Sequence, residues 1–150
     1  MLTHCILGMD HGGLALRPVL IGTLGALAVK FEDLGVHGPE SVDYPDYAHR
    51  VAERVAAAWA SAERHVFGLL VCGSGQGMAM TANRHRDVRA AVCEHALAAE
   101  LARAHNNANV LCLGARLIGA GPAESALTAF VQTPYAGGRH DGRVAAIDVF

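Results

Sequence analysis

The sequence has neither the long apolar segment of a membrane protein nor the basic surface of a nucleic-acid-binding protein. Its longest apolar run, residues 19–29, is interrupted by Gly22, Thr23 and Gly25 and is too short to span a bilayer. The 12 lysine and arginine residues and 14 aspartate and glutamate residues leave a net charge of −2, and they form no basic cluster. Neither a membrane nor nucleic acid is therefore expected as a partner.

Signals for export, disulfide bonding and metal binding are also missing. No cationic segment begins the sequence, and Asp10 and His11 fall where a signal peptide would be apolar. The four cysteines are widely spaced without a C-x-x-C pair. The nine histidines show neither H-x-x-x-H nor H-x-H spacing. We expect a cytoplasmic protein with free thiols and no metal site.

Short apolar runs alternate with longer amphipathic segments along the 150 residues, a length typical of a single domain. The runs typical of strands are residues 5–9, 29–34, 66–72, 88–93 and 109–113. The segments typical of helices are residues 14–28, 47–62, 77–84, 96–105, 122–131 and 139–147. Within residues 47–62 an apolar residue recurs at every fourth position from Tyr47 to Trp59, and Asp43 before Pro45 is the expected N-terminal cap. This alternation predicts an α/β fold in which helices cover both faces of a parallel sheet.

Chemically distinctive residues follow three of the predicted strands. Asp10 and His11 come after the first, a glycine-rich segment beginning at Cys72 comes after the third, and Arg116 comes after the last. Ligands of parallel sheets bind beyond the carboxyl ends of the strands. We therefore expect one polar site at this edge of the sheet.

The segment Cys72-Gly73-Ser74-Gly75-Gln76-Gly77 allows two interpretations. Alternate glycines before a helix can cradle an anion with backbone N–H groups, or they can form an ordinary tight turn. The spacing matches neither a dinucleotide fingerprint nor a P-loop. Taken alone, Cys72 is either a small buried apolar residue or a thiolate favoured by the helix N-terminus.

Three further segments also have a structural and a chemical interpretation. His105 and the asparagines after it can close a helix, but a helix C-terminus also favours the cationic histidine that a proton donor needs. Arg139 and Arg143, one turn apart if helical, can bind a dianion together or form a solvated basic turn. Asp10 and His11 can equally be a helix cap.

The order of these motifs along the chain resembles one family closely. The matching segments are Asp10-His11-x-Gly13, Asp43-Tyr44-Pro45, Cys72-Gly73-Ser74-Gly75-x-Gly77, Ala82-Asn83, His105-Asn106, Asn109-Val110-Leu111, Leu113-Gly114-x-Arg116 and Gly137-Gly138-Arg139-His140. On these motifs the chain is identified as a member of the ribose-5-phosphate isomerase B family, which includes galactose-6-phosphate and allose-6-phosphate isomerases. The resemblance implies a Rossmann-like, three-layer α/β/α fold with a mainly parallel five-stranded sheet. It also implies a homodimer or homotetramer whose active sites are shared between subunits.

The resemblance further implies an aldose–ketose isomerase acting on a small-molecule sugar phosphate. Cys72 matches the base that moves a proton between C2 and C1, and His105 matches the acid that opens the furanose ring, with Asn106 beside it. The loop that holds the enediolate matches Gly73, Ser74, Gly75 and Gly77. The sugar contacts match Asp10, His11 and Tyr44, and the phosphate contacts match Arg116, Arg139 and Arg143. Chemistry of this kind needs no metal or redox cofactor.

Two positions depart from the family pattern. One branch of the family uses a glutamate six residues after the cysteine position, where this chain has Met78, so Cys72 is the candidate base of the two. The family commonly has His-Asn-Asp where this chain has Asn107 after Asn106. That change removes a carboxylate beside the expected ring-opening residue.

Several functions remain as alternatives at this point. Within the class, ribose 5-phosphate of the pentose phosphate pathway is the favoured substrate. The alternatives are erythrose 4-phosphate, galactose 6-phosphate and allose 6-phosphate, each with its ketose. A non-catalytic sugar-phosphate-binding protein is disfavoured, since positions for base, acid and anion are all present. A thiol oxidoreductase is disfavoured more strongly, because no resolving cysteine lies near Cys72 in the sequence.

Overall fold

The computed structural model describes residues 1–149. Within this span the strands are β1 (His4–Met9), β2 (Lys30–Asp33), β3 (Val66–Cys72), β4 (Ala90–Val92) and β5 (Val110–Gly114). The α-helices are α1 (Arg17–Ala26), α2 (Tyr44–Ala60), α3 (Gln76–Ala82), α4 (Ala96–Asn106), α5 (Ala120–Gln132) and α6 (Asp141–Ile147). Two 3-10 helices, His11–Leu16 and Gly138–His140, lead into α1 and α6. Strands and helices thus alternate as the sequence predicts.

The five strands form one parallel sheet in the order β2-β1-β3-β5-β4. Met9 at the end of β1 pairs with Val71, and Cys72 at the end of β3 pairs with Gly114 at the end of β5. Because the strands run parallel and in this register, the segments that follow β1, β3 and β5 meet at one edge of the sheet. The predicted parallel α/β architecture is confirmed.

Helices cover both faces of the sheet, and each face has its own hydrophobic core. Leu20 and Leu24 of α1 pack on one face together with residues of α4 and α5. Val51, Val55 and Trp59 of α2 pack on the other face together with α3, so the four-residue repeat is the buried stripe of its helix. None of the helices in residues 1–149 combines the length and apolarity needed to cross a bilayer.

Several predicted boundaries were wrong in detail. The helix expected at residues 14–28 begins instead as the 3-10 helix His11–Leu16 and becomes α-helical only at Arg17. Helix α2 starts three residues earlier than predicted, at Tyr44. Asp43 occupies its N-cap position, but the side chain makes no capping hydrogen bond. A cap is less needed here because Pro45, in the first turn, already has the helical φ and has no N–H that would need a hydrogen-bond partner.

Candidate active site

A cleft of about 330 Å³ lies at the carboxyl edge of the sheet, where β1, β3 and β5 end. Its lining residues come from the loops after these strands and from the start of α2 and α3. They are Asp10, His11, Gly12, Tyr44, Cys72, Gly73, Ser74, Gly77 and Arg116. The expected polar edge is therefore a concave site, and apart from Gly12 every lining residue is among the predicted site residues.

Cys72 ends β3 at the floor of this cleft and is 5% exposed. The backbone N–H of Gly75 donates a hydrogen bond to the Cys72 sulfur, with an N-to-Sγ distance of 3.1 Å. Gly75 has a φ of 76°, a left-handed conformation that glycine adopts without strain and that turns its N–H back toward the strand end. A backbone N–H donor therefore points at the sulfur on the floor of the cleft.

The other cysteines have a different environment. Cys5, Cys93 and Cys112 lie in the hydrophobic cores. Burial raises the pKa of Cys93 to about 11. Burial also raises the pKa of Cys5 and Cys112 well above the ordinary value for a thiol, with smaller contributions from neighbouring acidic groups. These three side chains are neutral thiols at physiological pH, and Cys72 alone of the four lines the cleft.

Two close approaches shape the walls of the cleft. The ring of Tyr44 lies over Gly77, where an added Cβ would come within 2.5 Å of the ring. The guanidinium of Arg116 lies beside Gly73, where an added Cβ would be 3.2 Å from Nε. The backbone N–H of Arg116 also donates to the Gly73 carbonyl at 2.9 Å. A larger residue at Gly77 would have to move the Tyr44 ring, and one at Gly73 would press on the Arg116 side chain.

The residues after β1 supply a carboxylate and an imidazole. Asp10 is 8% exposed, and its Oδ1 has no hydrogen-bond partner among residues 1–149. Such an oxygen is costly to bury unless a ligand donates to it. His11 accepts a hydrogen bond at Nδ1 from the backbone N–H of Val42 at 3.3 Å, which leaves Nε2 as the nitrogen that carries the proton in the neutral ring. Both side chains can therefore hydrogen-bond the hydroxyl groups of a sugar.

Of the predicted site residues that do not line the cleft, Gly75 lies in the loop after Cys72, and the other four form a second group around the end of α4. These residues are His105, Asn106, Arg139 and Arg143. The ring of His105 stacks on that of His140, with 4.4 Å between centroids and 11° between planes. Arg139 Nε donates to His140 Nε2 at 3.4 Å, and the stacking of His140 on His105 joins this segment to the end of α4.

His140 is a member of this group that was not predicted as a site residue, although it belongs to the Gly137-Gly138-Arg139-His140 motif. It is buried, and burial lowers its pKa, as do the nearby His105, Arg139 and Arg143. A neutral ring can accept the hydrogen bond from Arg139, whereas an imidazolium cannot. The stacking itself has no signal in the sequence, because the two histidines are 35 positions apart.

The two groups lie at opposite edges of the sheet within one chain. Helix α4 ends at Asn106, just before β5 begins at Val110, whereas the cleft lies beyond the other end of β5 at Gly114. A strand of this length covers on the order of 13 Å from end to end. None of His105, Asn106, Arg139 and Arg143 lines the cleft.

The fold and the cleft together define an α/β enzyme, in which a thiol, a carboxylate, an imidazole and a guanidinium converge beyond the ends of parallel strands. The chain belongs to the Ribose/Galactose Isomerase family, whose sequence profile matches residues 5–147. It is an aldose–ketose isomerase of sugar phosphates.

Individual relatives are similar over nearly the whole chain. Ribose-5-phosphate isomerase B of Escherichia coli is 38% identical over 140 residues, which cover 93% of this chain and 91% of the relative. The structure of the Thermotoga maritima ribose 5-phosphate isomerase has a TM-score of 0.89 at 42% identity and covers 99% of both chains. The Mycoplasma genitalium enzyme, solved with ribulose 5-phosphate bound, has a TM-score of 0.89 at 34% identity, with 98% and 95% covered.

Proposed function

We propose that this isomerase interconverts ribose 5-phosphate and ribulose 5-phosphate, with Cys72 as the base. The observation that carries the proposal is the hydrogen bond from Gly75 N–H to Cys72 Sγ at 3.1 Å, on the floor of the cleft. The choice of substrate is supported by the relatives named ribose-5-phosphate isomerase B and by the ribulose 5-phosphate bound to the Mycoplasma genitalium enzyme. Four free cysteines also suit a cytoplasmic enzyme.

The reaction moves one proton from C2 to C1 and, in net terms, a second proton from the C2 hydroxyl to O1. In the open-chain aldose, the Cys72 thiolate takes the proton from C2, and the electrons of that C–H bond form the C1–C2 double bond of a cis-enediolate. The carbonyl electrons move onto O1, which is then protonated. The thiol returns the proton to C1 while the C2 hydroxyl gives up its own proton, which balances the one taken up by O1, and becomes the new carbonyl. No electron leaves the substrate, so the step needs no oxidant or reductant.

The charge that develops on the enediolate oxygens needs hydrogen-bond donors. The loop after Cys72 supplies the Ser74 hydroxyl and backbone N–H groups at the wall of the cleft. Preorganised donors of this kind often supply the largest single contribution to such reactions. The unpartnered Oδ1 of Asp10 and the Nε2 of His11 would hold sugar hydroxyls, and Tyr44 over Gly77 would limit the space around the sugar.

Ring opening and phosphate binding require a second copy of the chain. The base and the ring-opening acid must reach atoms of one small sugar, yet His105 lies at the opposite sheet edge from Cys72. We infer that His105, Asn106, Arg139 and Arg143 of one subunit complete the cleft of its neighbour, where Arg116 already stands. Exposed apolar side chains beside these elements suit such an interface: Met80 on α3 and Leu97 and Leu101 on α4.

The substrate is tested by incubating the enzyme with aldose and ketose phosphates and following interconversion by NMR. We expect ribose 5-phosphate and ribulose 5-phosphate to give the highest kcat/KM. A higher value for a tetrose or hexose 6-phosphate would name a different substrate. No turnover on any pair would contradict the enzymatic function and favour a protein that only binds sugar phosphates.

Replacing Arg143 by alanine is expected to lower kcat/KM for ribose 5-phosphate by roughly 10- to 150-fold, and Arg139→Ala should act similarly. A charge-assisted hydrogen bond contributes about 1.5–3 kcal/mol, and this is the energy lost when the phosphate loses one guanidinium. Ribose without phosphate should show a far smaller change. Arg54→Ala, which breaks an exposed ion pair with Glu32, is the control. Equal losses on both sugars would show that the arginines act only on the fold.

Mixing two inactive variants tests the shared site. Cys72→Ala and His105→Ala subunits, unfolded together and refolded, should regain about a quarter of the wild-type rate, since half of the dimers are mixed and each mixed dimer has one intact site. A matched control mixes Cys72→Ala with the double variant Cys72→Ala/His105→Ala, which cannot form an intact site. Recovery no greater than in this control, or a monomer by light scattering, would rule out the shared site.

A further inference from the structure

Arg89 is a buried cation at the amino-terminal edge of the sheet, outside the cleft. It precedes β4, is 7% exposed, and its guanidinium lies 5.0 Å from the centre of the Trp59 ring. Its Nε donates to the Asn107 carbonyl at 3.1 Å, and its Nη1 donates to Asp148 Oδ2 at 2.7 Å. Asn107 follows α4 and Asp148 follows α6. One side chain therefore joins the ends of the two helices that carry His105 and Arg143.

The contact with Asn107 fixes the end of α4. Asn107 has a φ of 48° and closes the helix, and its Oδ1 accepts from Arg103 Nη1 at 3.1 Å. Arg89 itself is held by its backbone N–H, which donates to Asn109 Oδ1 at 2.8 Å. Asn107 is thus clamped on both its backbone and its side chain, two residues after His105. His105 lies in the last turn of the helix that this clamp closes.

The contact with Asp148 fixes the far end of α6. The near end is held separately, because the Tyr135 hydroxyl donates to Asp141 Oδ1 at 2.8 Å and His140 stacks on His105 at 4.4 Å. Helix α6 is short and its Arg143 is exposed. The buried side chain of Val144 anchors the middle of α6, and the ion pair at Asp148 ties its last turn to Arg89.

We propose that Arg89 is a positioning residue, which sets the distance between the acid at His105 and the phosphate ligand Arg143. This inference rests on the proposed function of those two side chains. The ring oxygen and the phosphate of a sugar phosphate are separated by a nearly constant distance, so the groups that bind them must be held at a matching distance. A displacement of about 1 Å in such a group can cost as much as 100-fold in rate. An arginine suits this role because its planar guanidinium donates in two directions at once, which a lysine ammonium cannot do in the same geometry.

Asp148→Ala tests the α6 arm of this network, the contact of Arg89 with Asp148, and Arg89→Lys tests that arm together with the α4 arm, the contact with Asn107. Asp148 is partly exposed, but its removal leaves the buried Arg89 without a carboxylate, so the folded fraction of Asp148→Ala is measured by circular dichroism and both constants, KM and kcat, are taken per folded subunit. This substitution removes only the α6 arm, and we expect KM for ribose 5-phosphate to rise about 5- to 20-fold with kcat within about twofold. Arg89→Lys weakens both arms, and we expect a similar rise in KM together with a fall in kcat of about fivefold or more. Glu32→Ala, which breaks the exposed ion pair with Arg54, should change neither constant.

Different failures contradict different parts of the inference. If Arg143→Ala raises KM but Asp148→Ala behaves like Glu32→Ala, the positioning role of Arg89 is wrong and the proposed phosphate site survives. If Arg143→Ala itself leaves KM unchanged, both proposals are wrong. Asp148→Ala could also lower the amount of active enzyme while KM and kcat per folded subunit stay unchanged. That result would overturn the inference, since the ion pair of Arg89 with Asp148 would then have a purely structural role.

Discussion

Cys72→Ala is expected to lower kcat for ribose 5-phosphate by about 10²- to 10⁴-fold, the contribution typical of a positioned base. The substituted chain should remain folded, because alanine is smaller than cysteine and Cys72 lies at the end of β3 beside the cleft. The loss should appear in the rate of exchange between the C1 proton of ribulose 5-phosphate and D2O, measured by NMR. That exchange reports proton removal directly.

The pH dependence of the isomerisation rate provides a second test of Cys72. Only the thiolate accepts a proton, and the thiolate fraction rises with pH, so the rate should rise with pH along a limb set by one group. That limb should be absent from the residual activity of Cys72→Ala. Iodoacetamide should inactivate the wild-type enzyme, and a bound sugar phosphate should protect it.

The buried cysteines serve as matched controls. Cys93→Ala and Cys112→Ala remove thiols whose pKa is raised by burial, so these variants should keep their turnover per folded molecule even if they lose stability. A folded Cys72→Ala enzyme with most of the wild-type kcat would mean that another residue takes the proton.

His105→Ala is expected to affect the two directions of the reaction unequally. Ribose 5-phosphate is mainly a furanose and must be opened before C2 can lose its proton, so the rate from aldose to ketose should fall by about 10²- to 10⁴-fold without the acid. Ribulose 5-phosphate cannot close a furanose ring, because O5 carries the phosphate. Exchange of its C1 proton with D2O should therefore stay within a few-fold of the wild-type rate.

Comparing the two directions of the reaction in His105→Ala distinguishes a role of His105 in ring opening from a general role in the site. His65→Ala is the control, because His65 is exposed and lies beside β3 at the edge of the sheet opposite the cleft. Equal losses in both directions would show that His105 supports the site as a whole. An unchanged rate from ribose 5-phosphate would show that another group, or water, opens the ring.

Local patterns in the sequence predicted the secondary structure because they reflect which side of each element is buried. The run that became β3 is apolar throughout, as a strand buried on both faces must be, and its predicted bounds match the structure. The repeat in α2 identified its buried face. The predictions failed where two local conformations have nearly equal free energies. Examples are the 3-10 helix that replaces α-helix before Arg17 and the Asp43 side chain that does not cap α2.

The cleft could also be placed from the sequence. The parallel alternation puts the ends of β1, β3 and β5 at one edge, and Asp10, Cys72 and Arg116 follow these strands directly. Each residue is adjacent in sequence to the strand that carries it, so strand order alone brings the group together. The roles given to these residues came from the resemblance to a family and stay predictions.

Only the tertiary structure decided how the remaining residues are arranged. The stacking of His105 on His140 depends on how the chain after α5 packs against α4, and the Arg89 network joins residues 59 positions apart. The same packing places His105 at the opposite sheet edge from Cys72. Sequence patterns report whether a residue is buried and how its neighbours turn, because these are local free energies. Which distant side chains meet is determined by the packing of all the elements together, and no short segment contains that information.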